Sequence, residues 1–259
     1  MPRVYKTVIP RIRKSIRDYG LARSMVRGVL LPMHLVREYL AVRKLRPDEG
    51  KSDFDRAHDV DTDGEFGGWT YLSDLNIPSS NWIEGHDYRA IEPDRFGGVL
   101  TSLGILFDEY TFVDYGSGKG RALLLASEFP FKEIVGLEFS PELHRTAEEN
   151  IRRYRSPKQR CKNIRSVVVD FTEFDLPRGP LVLLFFDPCR GQVLEQVVSR
   201  IERSLMASTS PVYLAYVAPR LETERLLRSS KLLKEHSRNT LFNFVIYQRA
   251  GDPRDRNNG

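Results

Sequence analysis

From residue 94 onward the chain alternates between two hydrophobic patterns. Short apolar runs at 111–115, 134–138, 165–169, 181–186 and 212–217 predict strands, and 231–236 and 243–249 predict two more near the end. Between them, apolar residues recur every three or four positions, which predicts helices at 95–107, 119–129, 141–154, 192–205 and 221–228. Ser140 is placed as an N-cap and Pro141 as a first-turn residue for the third of these. The run 181–186 is apolar throughout, as a strand buried on both faces requires. Strands alternating with helices predict an α/β fold: a mostly parallel seven-stranded sheet with helices on both faces and right-handed crossovers.

The first half reads differently. Residues 10–31 form a basic amphipathic pattern, with Ile12, Ile16, Tyr19, Val26 and Val29 separated by arginines, and 33–45 predict a second helical piece. Gly20 and Gly28 weaken the first, and Pro32 should end or kink it. Residues 47–93 read as a linker and cap, with the acidic, glycine-rich run 59-DVDTDGEFGG-68 as loop. That run departs from a calcium loop, because no glutamate stands at its twelfth position. The division expected is therefore a basic arm at 1–46, a cap at 47–93, a main domain at 94–250 and a disordered tail at 251–259.

Charge sharpens that division. Residues 1–46 hold twelve Lys/Arg against Asp18 and Glu38, a net +10; the whole chain is +5, so the remainder carries −5. A packed arm, an anionic membrane surface, RNA and an organelle transit peptide all suit such an arm. Two cysteines, Cys161 and Cys189, exclude a disulfide scaffold and fit a reducing compartment. No Cys/His spacing predicts a metal. With no bilayer-length apolar run and no secretory pattern, a cytoplasmic location is expected, with a peripheral membrane association through the arm left open.

The candidate chemistry lies in 111-TFVDYGSGKG-120. Three glycines, Gly116, Gly118 and Gly120, fill the first strand-to-helix turn, where an open parallel sheet binds ligands. A Walker loop is excluded, because position 113 is Val and Gly120 follows Lys119. The dinucleotide fingerprint needs its third glycine one residue later, which disfavours a nicotinamide dinucleotide. A ligand with a ribose and a small charged group, but no phosphate, remains.

Here the chain resembles the class I S-adenosylmethionine (SAM)-dependent methyltransferases, whose first motif is acid-x-G-x-G-x-G. Asp114-Tyr115-Gly116-Ser117-Gly118-Lys119-Gly120 matches it, and Glu138 stands at the second strand's tip. The resemblance spans about residues 88–249 and implies a Rossmann-like methyltransferase fold with SAM as cofactor. It implies Asp114 near the methionine ammonium, the loop Gly116, Ser117, Gly118 and Gly120 along the cofactor, and Glu138 with neighbouring Phe139 at the ribose. Asp170 and Phe171 would meet adenine. The phrase resembles more narrowly a bacterial group distantly similar to the non-SET histone-lysine methyltransferases. Within that group 88-YRAIEPDRF-96 would close over the methionine end, making Glu92 and Asp94 cofactor contacts; the alternative is the ordinary start of a helix.

The fourth strand ends in Asp187-Pro188-Cys189-Arg190. The resemblance places Asp187 opposite the transferred methyl group, as orienting group or base; a turn or N-cap residue is the plain alternative. The second proline and the aromatic residue of nucleic-acid amino-methyltransferases are missing, so a protein side chain or small molecule is expected as acceptor rather than a base. Cys189 is expected as filler, Arg190 as an acidic-substrate contact or a solvated residue, and His86, His144 and His236 as structural or exposed rather than catalytic. Trp69, Tyr71, Trp82 and Tyr88 either wall a substrate pocket or pack the cap. The competing function is a non-catalytic protein of the same fold, acting through its arm on membrane or RNA.

Overall fold

A computed structural model describes residues 51–64, 68–72 and 75–251. The two helical segments expected at 10–31 and 33–45, with the rest of the basic arm, lie outside the described residues, as do 252–259.

The main sheet contains β3 (Thr111–Tyr115), β4 (Glu133–Glu138), β5 (Ile164–Val168), β6 (Leu181–Phe185), β7 (Val212–Val217), β8 (Leu233–Asn239) and β9 (Phe244–Arg249). A separate hairpin-like pair, β1 (Trp69–Thr70) and β2 (Tyr88–Arg89), precedes it. The helices are α1 (Asp53–His58), α2 (Pro93–Thr101), α3 (Arg121–Ala126), α4 (Pro141–Arg153), α5 (Gly191–Ala207) and α6 (Leu221–Ser229). Strand order is β5-β4-β3-β6-β7-β9-β8, parallel except for β9, which runs antiparallel to both neighbours. This is the mostly parallel, seven-stranded Rossmann-like α/β fold expected from the sequence.

Strand alternation divides the core. Val113, Tyr115, Leu183 and Phe185 point to one face, where Val193, Val197 and Ile201 of α5 cover them. Phe112, Val182 and Leu184 point to the other, under Phe96, Val99 and Leu100 of α2 and Leu123 and Ala126 of α3. β3, β6 and β7 are buried along their whole length, which explains the unbroken apolar runs of β6 and β7. Asp114 is the charged exception in β3, and it pairs in register with Gly136 and Leu184.

Several boundaries differ from expectation for local reasons. The helix expected to reach residue 107 stops at Thr101, and Gly104 follows with φ +59°, which a continuing helix cannot accommodate. The helix expected from 119 begins at Arg121, because Gly120 is its left-handed N-cap. At its other end Ser127 turns its hydroxyl back onto the Leu124 carbonyl. α4 starts as expected, with Ser140 Oγ accepting from Leu143 N at 3.3 Å and Pro141 in the first turn. α1 was not expected at all: six residues are too few for a period to show.

The cap is attached at the carboxyl ends of the strands. Gly85 and Cys189 form an antiparallel bridge, flanked by His86 N to Pro188 O and Arg190 N to Glu84 O. Asp170 takes hydrogen bonds from Ser79 Oγ at 2.6 Å and Asn81 Nδ2 at 2.8 Å. The cap therefore reaches the loops after β5 and β6.

Candidate functional site

β3 lies between β4 and β6, so strand order reverses beside it and a crevice opens at its tip. The glycine loop there is closed by its own backbone. Gly116 N and Ser117 N both donate to Leu137 O at 2.9 Å, and Gly118 N donates to Glu138 Oε2 at 2.8 Å. These three N–H groups are thus spent inside the protein and offer no cradle to a phosphate.

The bare faces of the glycines are covered too. A Cβ at Gly118 would lie 2.0 Å from Tyr88 Cε2, and at φ +53° a side chain is disfavoured besides. Gly116 faces Pro188 and Gly120 faces Ala147. Ser117 packs its side chain on Gly136, and its buried Oγ has no hydrogen-bond partner among the described residues. Tyr88 is held by a bond from its hydroxyl to Thr62 O.

Two carboxylates underlie this loop. Glu138, 2% exposed, accepts from Gly118 N and, through Oε1, from Ser140 N at 2.8 Å. Burial pushes its pKa up to about 7 despite those bonds. Asp114, 3% exposed, has no donor or cation set against its carboxylate among the described residues. Burial, and then the charge of Glu138, push it up to about 8. Asp114, Gly116 and Ser117 line a cavity of about 20 Å³ with Tyr88, Arg89 and Phe186.

Phe139, Asp170 and Phe171 come together nearby, lining a cavity of about 10 Å³ with Asn81, Gly85 and Cys189. The Phe139 and Phe171 rings meet edge to face at 5.4 Å. Both oxygens of Asp170 are engaged, one by Ser79 and Asn81, the other by the Thr172 amide and hydroxyl, and together these bonds outweigh burial and lower its pKa. Glu92 and Asp94 are not brought to this crevice. Both are exposed, Glu92 as the N-cap of α2 and Asp94 in its first turn, and Glu92 faces Arg95 at 3.3 Å.

The acidic run after α1 does something the sequence reading missed. Arg121, 6% exposed, donates to Asp63 at 2.7 Å, Asp55 at 3.1 Å, Ser52 Oγ at 2.9 Å and Thr62 Oγ1 at 2.6 Å. Its guanidinium also lies 5.1 Å from the Phe54 ring centre. Asp61 pairs with Lys119 at 3.0 Å. Burial opposes it, but Ser52 and the Arg121 charge hold the Asp63 carboxyl below its usual range. Residues expected as a loose linker are a clamp on the first turn of α3.

A far larger cavity, about 550 Å³, lies over the tips of β6 and β7. Trp69, Tyr71, His86, Asp87 and Arg89 of the cap face Phe186, Asp187, Arg190, Ala218 and Arg220 of the sheet. Asp187 and Ala218 have φ of +51° and +53°, uncommon for residues with a Cβ and typical of strained loop positions at working sites. Asp187 pairs with Arg220, receives Tyr216 Oη at 3.4 Å and lies 3.6 Å from His86 Nε2. Burial raises its pKa against the lowering charge of Arg220.

His86, expected to be structural or exposed, stands beside Asp187, about a hundred residues away in sequence. His144 does pair with Ser166 Oγ at 2.9 Å, and His236 packs on Tyr213. Cys189 is 2% exposed, and burial raises its thiol far above its usual range, so it remains protonated. Trp69 and Tyr71 wall the large cavity; Trp82 and Tyr88 are not part of its lining.

No protein-family description and no curated protein sequence matches this chain. Solved structures do. The 23S rRNA methyltransferase ErmE is 15% identical, with 63% of this chain and 70% of that one aligned at a TM-score of 0.45. An RNA methyltransferase from Salinibacter ruber in complex with S-adenosylhomocysteine is 15% identical over 62% and 92%, TM-score 0.43. A SAM-dependent O-methyltransferase from Thermotoga maritima is 15% identical over 62% and 66%, TM-score 0.44. At this identity the likeness is one of fold alone.

Proposed function

We propose that the chain is a SAM-dependent methyltransferase acting on a protein side chain or small molecule. The observation that carries the reading is the buried pair Asp114 and Glu138, held at the reversal point with no cation bonded to either carboxylate among the described residues, although Arg89 and Arg121 line the same small cavity as Asp114. Two buried acids repel phosphate and favour a ligand that brings hydroxyl donors and positive charge. The loop amides, already bonded to Leu137 and Glu138, point the same way. The ordinary phosphate-bearing nucleotides are thereby disfavoured.

The residues present suit S-adenosylmethionine in charge and hydrogen bonding. Asp114 is the free acceptor for an ammonium, Glu138 the acceptor for ribose hydroxyls, and Phe139 and Phe171 the apolar walls for a purine. Bound there, the cofactor would supply a sulfonium-activated methyl group. The small cavities are far below the few hundred Å³ a nucleoside needs. Admission therefore requires Tyr88 and the cap around it to move off Gly118.

In the large cavity Asp187 would orient the acceptor, and with His86 it can take up the proton that an amine or hydroxyl loses. Positioning by the cap walls would supply much of the rate. The basic arm would localise the protein, at an anionic membrane or on RNA, without entering the chemistry. Incubating the full chain with methyl-labelled cofactor and a cell extract tests the proposal. Labelled product that disappears in Asp187→Asn supports it; cofactor binding with no labelled product favours the non-catalytic alternative.

A further inference from the structure

Arg89 occupies the border of two cavities. With Phe186 it lines both the small space beside Asp114 and the large one over Asp187. Its guanidinium carbon lies 5.1 Å from the Trp69 ring centre and 5.2 Å from that of Phe186. Two rings thus fix its position without consuming its N–H groups. Among the described residues no carboxylate or carbonyl accepts from it. Arg220, on the opposite wall, is in contrast committed to Asp187.

A guanidinium held by aromatic contacts, with donors to spare, is built to take an oxyanion through paired hydrogen bonds. Trp69, Tyr71 and Phe186 add apolar surface for the body that carries the anion. We infer that the acceptor is a small molecule or side chain carrying an oxyanion, gripped by Arg89 at the junction of the two cavities, with its flat or apolar portion against Trp69 and Phe186. This rests on the methyltransferase reading for the word acceptor, but the anion site itself does not.

The test uses the full chain and three probes of matched shape: benzoate, phenyl phosphate and the uncharged benzamide. Binding is followed by ligand-observed NMR up to about 10 mM, a range that captures weak sites. Benzoate or phenyl phosphate is expected to bind, and benzamide to bind at least about tenfold more weakly. Arg89→Gln should weaken the anions about 10- to 100-fold, with Arg89→Lys between, since an ammonium keeps the charge and loses the fork. A stronger phenyl phosphate assigns the oxyanion to a phosphate ester, and a stronger benzoate assigns it to a carboxylate.

Equal binding of benzamide, anion binding that survives Arg89→Gln, or no anion binding by the natural chain would each overturn the inference. Should Arg89→Gln lose its unfolding transition, Arg89→Lys and the benzoate–benzamide pair still decide. S-adenosylhomocysteine is titrated into the same samples. Its binding without benzoate sinks this inference alone, and benzoate binding without it sinks the cofactor reading alone.

Discussion

Two groups of acids flank the same strand-to-helix turn and have opposite electrostatics. Asp55 is fully buried, yet it receives Thr62 N at 2.7 Å, Thr62 Oγ1 at 2.5 Å, Asp63 N at 3.0 Å and Arg121 at 3.1 Å. Asp61 and Asp63 likewise meet Lys119 and Arg121. Asp114 and Glu138 are as deeply placed, but among the described residues no lysine or arginine pairs with them, and their pKa values rise to about 8 and 7. A buried acid supplied with its own cation belongs to the architecture. A buried acid left without one costs stability in the empty protein and becomes favourable only when something positive or donating arrives.

The largest effect expected is on the clamp. Arg121→Met leaves Asp55 buried without its cation and should cost about 3–5 kcal/mol of stability, read from urea unfolding. A loss of well under 1 kcal/mol would erase the distinction between the two groups. Asp114→Asn should behave in the reverse sense. Removing an uncompensated acid leaves stability equal or raised, while SAM affinity falls about 10- to 100-fold by calorimetry. A destabilised variant with normal affinity would move Asp114 into the architectural group.

Acidity gives an effect of intermediate size. Both acids have folded pKa values above the unfolded values of roughly 4, so the folded state binds more protons between about pH 4 and 8. Stability of the ligand-free protein from these groups is therefore greatest at low pH and is lost as pH rises through 7 and 8. Cofactor affinity runs the other way, since the ionised acids do the binding, and rises up to about tenfold per unit until it levels above pH 8. A melting temperature and an affinity that moved together with pH would contradict this. The smallest effect belongs to Glu138→Gln, which keeps an acceptor for Gly118 N and should weaken SAM only several-fold, to be read by the same calorimetry.

What could be read beforehand follows from the range of the forces involved. The strands at 111–115 and 212–217 appear at the expected limits, because total burial writes itself as an apolar run. The tips carrying Asp114, Glu138 and Asp187 followed from those limits. The clamp did not, since Arg121 lies 66 residues from Asp55 and 58 from Asp63 and meets them only through packing. The same holds for His86 and Arg89 against β6, brought there by the bridge between Gly85 and Cys189. Gly118 illustrates a further limit: its spacing signals a tight turn, but nothing local tells that Tyr88 fills the space above it.

The claim on which the rest depends is that Asp114 and Glu138, which have no cation partner among the described residues, are kept for a phosphate-free, positively charged nucleoside. Calorimetric titration of the full chain above pH 8 with SAM, and separately with a nicotinamide dinucleotide, tests it most directly. The account predicts a one-to-one complex with SAM that Asp114→Asn weakens, and no heat from the dinucleotide. A chain that ignored SAM, or that took up the diphosphate nucleotide, would contradict it.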